Sequence, residues 1–210
     1  MKRYRYNLDD RLVREAFRPV RNKEEAISTL MRCIKLMLVG DVVPAERKHG
    51  ELQLDVSKTS RLYIFSEGKY VSFGFPFSVN EEGETLQFHS KSGDLIDNKI
   101  TSDILGVLNT LAEDPPTEVI SFAEIVCEAE VHSVNFWTIF FQLLLYEMGY
   151  VRYDHDAKNE AGDLHPLHHY DFFYTSSITC KIGLRSELAH EEMIDFLSIS
   201  SFCRYIEDNS

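Results

Sequence analysis

The residues best suited to chemistry are histidines and aspartates gathered in one stretch of the chain, residues 152–184. Four of the eight histidines lie in this stretch, and four aspartates lie beside them: His155, His165, His168 and His169, with Asp154, Asp156, Asp163 and Asp171. Imidazole titrates near neutral pH, and imidazole with carboxylate is a ligand set that suits zinc, manganese or iron. This composition indicates a metal centre or an acid–base site.

A specific site follows if the two strands predicted around this stretch are neighbours, because their polar ends then meet at one edge of a sheet. We expect His165, His168, Asp171 and Asp154 to be ligands of a divalent metal. An incomplete ligand set leaves room for a water molecule whose pKa the metal lowers, which suits hydrolysis of a phosphodiester. The catalytic residues in this hypothesis are His168 and Asp171. A metal-free version uses His168 or His169 as general base, oriented by Asp171.

The alternative is structural, with exposed loop histidines whose hydrogen bonds fix the turns. No H-E-x-x-H spacing supports the metal hypothesis. Side chains alternate along a strand, so His169 and Asp171 should share one face while Tyr170, Phe172 and Tyr174 share the other. Ser176 and Ser177 are not in a G-x-S-x-G sequence and favour an ordinary turn over a nucleophile. Both interpretations stay open at this level.

The first half of the chain predicts a basic arm, a helix and a β-meander. The arm covers residues 1–21, with a short amphipathic helix around residues 9–17 that ends before Pro19. Asn22 has the chemistry of an N-cap, and apolar residues recur at helical spacing over residues 22–40. Aromatic and β-branched runs at 51–56, 61–65, 70–77 and 85–89 predict an antiparallel meander over residues 51–90, with a polar turn at 80–83.

The second half predicts a helical block over residues 101–148, then strands, then a last helix. In the block, Ser121 and Glu124 have the spacing of a capping box, and a third helix over 134–148 is apolar nearly all round, so Trp137 is expected in the core. Strands at 150–154, 169–175 and 178–184 surround the His/Asp-rich loop, and Ser186 caps a helix over 186–205. We therefore predict one α+β domain over residues 1–210, with an antiparallel sheet of early and late strands packed against the helical block.

The net charge and the positions of the cysteines restrict the kinds of partner and the cellular compartment that we expect. Lys and Arg number 22 against 34 Asp and Glu, a net charge of −12. This balance argues against tight nucleic-acid binding by the isolated chain and against anionic membranes, although the N-terminal arm is basic. The four cysteines are scattered without a C-x-x-C pair, which is typical of a reducing cytoplasm. The longest apolar run, residues 136–146, is too short to span a bilayer.

Three short motifs resemble those of an uncharacterised bacterial family: R-Y-D-H-D at 152–156, H-P-L-H-H-Y-D at 165–171 and K-I-G-L at 181–184. The resemblance covers most of the chain and implies a bacterial cytoplasmic protein of unknown activity, encoded beside mobile or defence genes. It assigns no catalytic residue, and His169 stands where an apolar residue is expected. We expect a binding or interaction component of a multi-protein system, with a protein partner or a second copy docking on the aromatic hairpin or the N-terminal arm. The metal-dependent hydrolase is the alternative.

Overall fold

An antiparallel sheet of early and late strands organises the molecule. The computed structural model describes residues 2–40, 43–83, 85–132, 135–173 and 180–204. Seven strands of this described part form the sheet, in the order β1 (Lys2–Leu8), β2 (Gly50–Val56), β3 (Arg61–Ser66), β4 (Lys69–Gly74), β7 (Val151–His155), β8 (His168–Phe172), β9 (Cys180–Leu184). A separate two-stranded sheet pairs β5 (Ser78–Glu82) with β6 (Thr85–His89). The predicted α+β class is confirmed.

The helices cover the sheet on both faces. Their bounds are α1 (Asp10–Ala16), α2 (Lys23–Val39), α3 (Asn98–Glu113), α4 (Val119–His132), α5 (Phe136–Leu145) and α6 (His190–Phe196), and two short 3-10 turns lie at Ala45–Arg47 and Gly162–Leu164. α2 begins as predicted, because the Asn22 side chain accepts the backbone N–H of Glu25. Within the described ranges, every helix is too short or too polar to cross a membrane.

The alternation of side chains along the strands creates two cores. On one face, α2, α3 and α5 pack over aliphatic strand residues such as Leu54, Ile64 and Val71. On the other face, a smaller aromatic cluster that includes Phe65 and Tyr153 lies beneath α6. β3 and β4 therefore contribute alternate residues to both cores.

Several elements differ from the sequence-based expectations. β1 was not predicted, although it pairs along its whole length with β2. β6 lies where a strand was expected, but it pairs with β5 outside the main sheet, and most of the expected turn at residues 80–83 is strand. β5 is polar and largely exposed, so it lacks the hydrophobic alternation that marks a half-buried strand.

The helix ends also differ. α4 begins at Val119, so Ser121 lies inside the helix and does not cap it. α5 ends at Leu145, before the expected end at residue 148, and α6 is much shorter than the predicted 186–205, with Ala189 as its N-cap. The prediction that Trp137 is buried is wrong, since 43% of it is exposed. A helix that is apolar all round gives no sequence signal for which side faces the core.

Two glycines should respond oppositely to replacement by alanine. A Cβ at Gly50 in β2 would lie 2.6 Å from the Phe65 carbonyl oxygen, whereas a Cβ at Gly106 in α3 would meet nothing within 4 Å. We expect Gly50→Ala to lower the free energy of unfolding by about 1–3 kcal/mol through backbone displacement. Gly106→Ala should raise it by up to about 1 kcal/mol through helix propensity. Urea unfolding measures both, and equal stability of the two variants would contradict the packing described for β2.

Candidate functional site

The register of β7 with β8 brings four polar residues together on one face of the sheet, among them the predicted ligands Asp154 and Asp171. These strands are antiparallel neighbours, which is the arrangement the site hypothesis required. Arg152 lies opposite Asp171, and Asp154 lies opposite His169. Since residues two apart on a strand share a face, all four project from the side of the sheet that carries α2. This is also the face of Val71, which pairs with Arg152.

Three of these residues form the cluster that we call the Asp–His–Asp cluster: Asp154, His169 and Asp171. One ligand atom from each lies within 4.8 Å of the others. His169 is 1% exposed and Asp154 is 4% exposed. The Nδ1 atom of His169 lies 2.8 Å from the carbonyl oxygen of Pro166, which can only accept, so Nδ1 carries the proton. The unprotonated Nε2 atom therefore faces the other members of the cluster, 3.8 Å from Asp171 Oδ2.

Basic side chains already neutralise the carboxylates. Arg152 donates from Nε to Asp154 Oδ2 at 2.5 Å and from Nη2 to Asp171 Oδ2 at 2.6 Å. Lys181 Nζ lies 2.7 Å from Asp171 Oδ1 and 3.0 Å from His169 Nε2, and Lys69 Nζ lies 3.8 Å from Asp154 Oδ1. Burial alone would lower the pKa of Arg152, but Asp154, Tyr150 and Asp171 together outweigh burial and raise that pKa above its ordinary value. The arrangement is a nearly complete ion-pair network.

A small cleft leads to this network from solvent. Its volume is about 140 Å³, and its walls are the last residue of α1 and residues 17–20 after it, together with sheet residues that include Lys69, Arg152 and Asp154. Asp156 also lines the cleft. The cleft is large enough for a few water molecules or a hydrated ion. Of the Asp–His–Asp cluster, Asp154 is the member that the cleft reaches.

His168 does not join the cluster. It is three residues from Asp171 on β8, an odd separation that places the two side chains on opposite faces. Its Nδ1 atom lies 2.9 Å from the Tyr153 hydroxyl, and its ring stacks on that of His155 at 4.8 Å between centroids. The predicted grouping of His168 with Asp171 is therefore corrected, and His169 takes the place assigned to His168. The sequence itself places His169 and Asp171 on one face of the strand, because side chains alternate along a strand.

His165 lies beside the cluster without belonging to it. Its Nε2 atom is 3.2 Å from Asp156 Oδ2, and its ring stands nearly perpendicular to that of His169 at 4.7 Å. Hydrogen bonds from the side chain of Asn159, with smaller contributions from the Asn159 backbone and His165, lower the pKa of Asp156 to about 2. His165 thus helps to close the loop that Asp156 and Asn159 begin.

Sequence reasoning missed the basic members, Arg152 and Lys181. Both lie in the quoted motifs, and each is in register with Asp171 on a neighbouring strand. The pairing of these two residues with Asp171 would have identified them, because opposite charges at directly paired positions attract one another across a sheet. Tyr174, Ser176 and Ser177 fall outside the described residues.

Comparisons with protein-family models, with curated proteins and with solved structures found no match for this chain. The resemblance based on the three motifs therefore stays a prediction. What the residues can do is argued below from their geometry alone.

The ion-pair network predicts a large difference between two arginine substitutions. Arg152→Gln leaves Asp154 and Asp171 with less compensation in a largely buried position, and we expect it to lower the free energy of unfolding by about 3 kcal/mol. Arg204→Gln removes an exposed pair with Asp195, whose side chains are 58% and 49% exposed, and should cost less than about 1 kcal/mol. Chemical unfolding of both variants tests this. Similar losses in both would mean that the cluster is not a stabilising network.

Proposed function

We propose that this chain acts by binding protein, as a component of a multi-protein assembly, and that α5 carries the contact surface. The observation that supports this is an apolar stripe on the outer side of α5. Trp137, Phe141 and Leu145 follow one another four residues apart and are 43%, 44% and 69% exposed. The opposite side of the same helix is buried through residues such as Phe140 and Leu143. We call the three exposed residues the α5 stripe.

The α5 stripe has the features of a contact surface. Contiguous exposed apolar surface is uncommon on monomeric proteins and marks sites of interaction. The rings of Trp137 and Phe141 stack at 5.5 Å between centroids, which makes a rigid aromatic surface. A cleft of about 350 Å³ adjoins the end of the stripe, lined by Leu145 with Pro76 and Phe77. Tryptophan and other aromatic residues beside a pocket are frequent centres of binding energy.

The partner that fits this surface is a second copy of the chain. α5 contains no charged residue, so it is the place where two chains of net charge −12 meet with least repulsion. A stripe along one helix is self-complementary across a two-fold axis, with α5 packed antiparallel on α5. The setting that we propose is the bacterial cytoplasm, in the defence-related system that the motif resemblance implies.

Acidic substitutions on the α5 stripe should dissociate this assembly. In sedimentation equilibrium over a concentration series, we expect the wild-type mass to approach twice 24.3 kDa. Phe141→Glu and Leu145→Glu should each weaken association at least about tenfold, since a buried apolar anchor contributes about 2 kcal/mol. Leu164→Glu is the matched control, because Leu164 is 90% exposed in the 3-10 turn Gly162–Leu164, outside α5. A wild type that stays monomeric at its highest soluble concentration, or an equal effect of the control, would overturn the proposal.

A second candidate is a metal-dependent hydrolase that acts on phosphodiesters. The observation in its favour is the convergence of Asp154, His169 and Asp171, with the Nδ1–H of His169 held by a backbone carbonyl. Metal-binding histidines commonly have this second hydrogen bond, which leaves Nε2 available as a ligand. A divalent metal there would supply an activated water. Lys181 would have to leave His169 and Asp171, because its ammonium group occupies the same region.

Metal addition separates this candidate from a purely structural network. A metal centre predicts that manganese or zinc raises the melting temperature of the wild type, since a ligand that binds only the folded state stabilises it. His169→Gln should remove the effect. His89→Gln, in β6 outside the cluster, should retain it. Elemental analysis of protein purified without an affinity tag gives a second readout. Metal-free protein whose melting does not respond to metal would exclude the candidate.

A further inference from the structure

Most basic residues of the N-terminal segment are engaged by carboxylates. Five of them pair with acidic side chains: Lys2 with Glu81, Arg3 with Asp55, Arg5 with Glu51, Arg11 with Glu15, and Arg14 with Asp10. Their charge is therefore largely neutralised at the surface. Arg18 and Arg21 are different, since within the described residues neither guanidinium group has a hydrogen-bond or ion-pair partner. Both lie at the entrance to α2.

Arg18 and Arg21 line a wide cleft, together with Arg32. Its volume is about 790 Å³, within the range of small-molecule sites. Arg32 is half-buried in α2 and, in the same described ranges, has no ion pair with a carboxylate. The facing wall is largely apolar and comes from α3, α4 and their connection, with Leu108, Leu111, Ala112, Pro115, Pro116 and Phe122. We call this space the arginine cleft.

A buried hydroxyl group also faces the arginine cleft. Ser28 is only 9% exposed and lines the cleft from α2. In the part of the chain that the structure describes, the Ser28 hydroxyl group makes no hydrogen bond. In that same part, every side-chain polar atom that is fully enclosed has a hydrogen-bond partner. The Ser28 hydroxyl group must therefore keep contact with the space in front of it. A polar group of this kind, nine-tenths buried and without a protein partner, is available to a ligand.

The charges that face the cleft favour an anion. Glu24 and Glu25 also line it, so three guanidinium groups stand against two carboxylates. The Glu25 carboxylate is already occupied, since it accepts the backbone N–H of Arg21 at 2.5 Å. The N-terminal end of α2, a helix of 17 residues, adds partial positive charge at the same place. A locally positive cleft contrasts with a chain of net charge −12.

We propose that the arginine cleft binds a small organic phosphate. Guanidinium groups recognise phosphate through paired charge-assisted hydrogen bonds, and the Ser28 hydroxyl group can donate one more. The apolar wall around Leu108 and Phe122 takes the rest of the molecule, so the ligand has a flat or apolar body as well as the phosphate group. This site is separate from the α5 stripe and does not depend on the proposed self-association.

Phenyl phosphate tests the proposal, because it is the smallest probe that has both parts. In isothermal titration calorimetry at low ionic strength, we expect saturable binding of phenyl phosphate, at least about tenfold tighter than inorganic phosphate or benzoate. Arg18→Gln, Arg21→Gln and Arg32→Gln should each weaken binding by about tenfold or more, as for the loss of one charge-assisted hydrogen bond. Ser28→Ala should weaken it by a smaller factor, and the melting temperatures should confirm that each variant is folded.

The matched control is Arg11→Gln, which removes the same charge from α1 outside the cleft. Binding to this variant should equal that of the wild type. Equal weakening by Arg11→Gln would show that net charge alone attracts the anion, and the site would be rejected. The proposal is also overturned if phenyl phosphate does not saturate, if inorganic phosphate binds as tightly, or if benzoate does.

Discussion

The pairing of β4 with β7 is the contact on which the rest of the architecture depends, because it joins the strands on either side of the helical block. Four residue pairs make the connection, from Lys69 opposite Asp154 to Ser72 opposite Val151. Two hydrogen bonds extend it, from Arg61 to the Gly149 carbonyl oxygen and from the Gly74 N–H to that of Met148. Closing such a long loop costs chain entropy that local contacts cannot recover. The late strands can therefore form a sheet with the early ones only when this register is correct.

That register also separates two kinds of chemistry. On the face beneath α6, the rings of Tyr70 and Tyr153 pack against each other at a tilt and help to build an aromatic core. On the opposite face, the same strands carry Arg152, Asp154 and their partners. A shift of one residue would exchange these faces, placing charges under α6 and tyrosines on the face that carries α2. The charged network therefore contributes specificity as well as stability, because it is satisfied in one alignment of the strands.

Much of this fold could be predicted from the sequence, and the failures have physical causes. The helix capped by Asn22 and the strands around Tyr63 could be predicted, because the spacing of apolar residues within each segment indicates its type of secondary structure. β1 was missed because its arginines have partners, Asp55 and Glu51, that lie on another strand. Cross-strand pairs of this kind are set by register, which one sequence does not display.

The sequence predicted where the candidate site lies in the chain, but it did not predict all of the residues that form it. The stretch, the neighbouring strands and the pair formed by Asp154 and Asp171 were expected, and the histidine that completes them is His169. One position along β8 separates the two histidines, so a small error in choosing between them changes the face of the sheet. Arg152 was not assigned to the site, because a single sequence does not show that two carboxylates surround a guanidinium group.

The short segment after α1 has a further consequence. Arg18 and Pro19 belong both to the wall of the arginine cleft and to the wall of the small cleft over Asp154. One length of backbone thus separates two cavities of different chemistry. Any molecule that displaces this segment on entering one cavity alters the other, and thermodynamic linkage requires the effect to be reciprocal. The backbone at Arg18 and Pro19 is therefore a wall that the two cavities have in common.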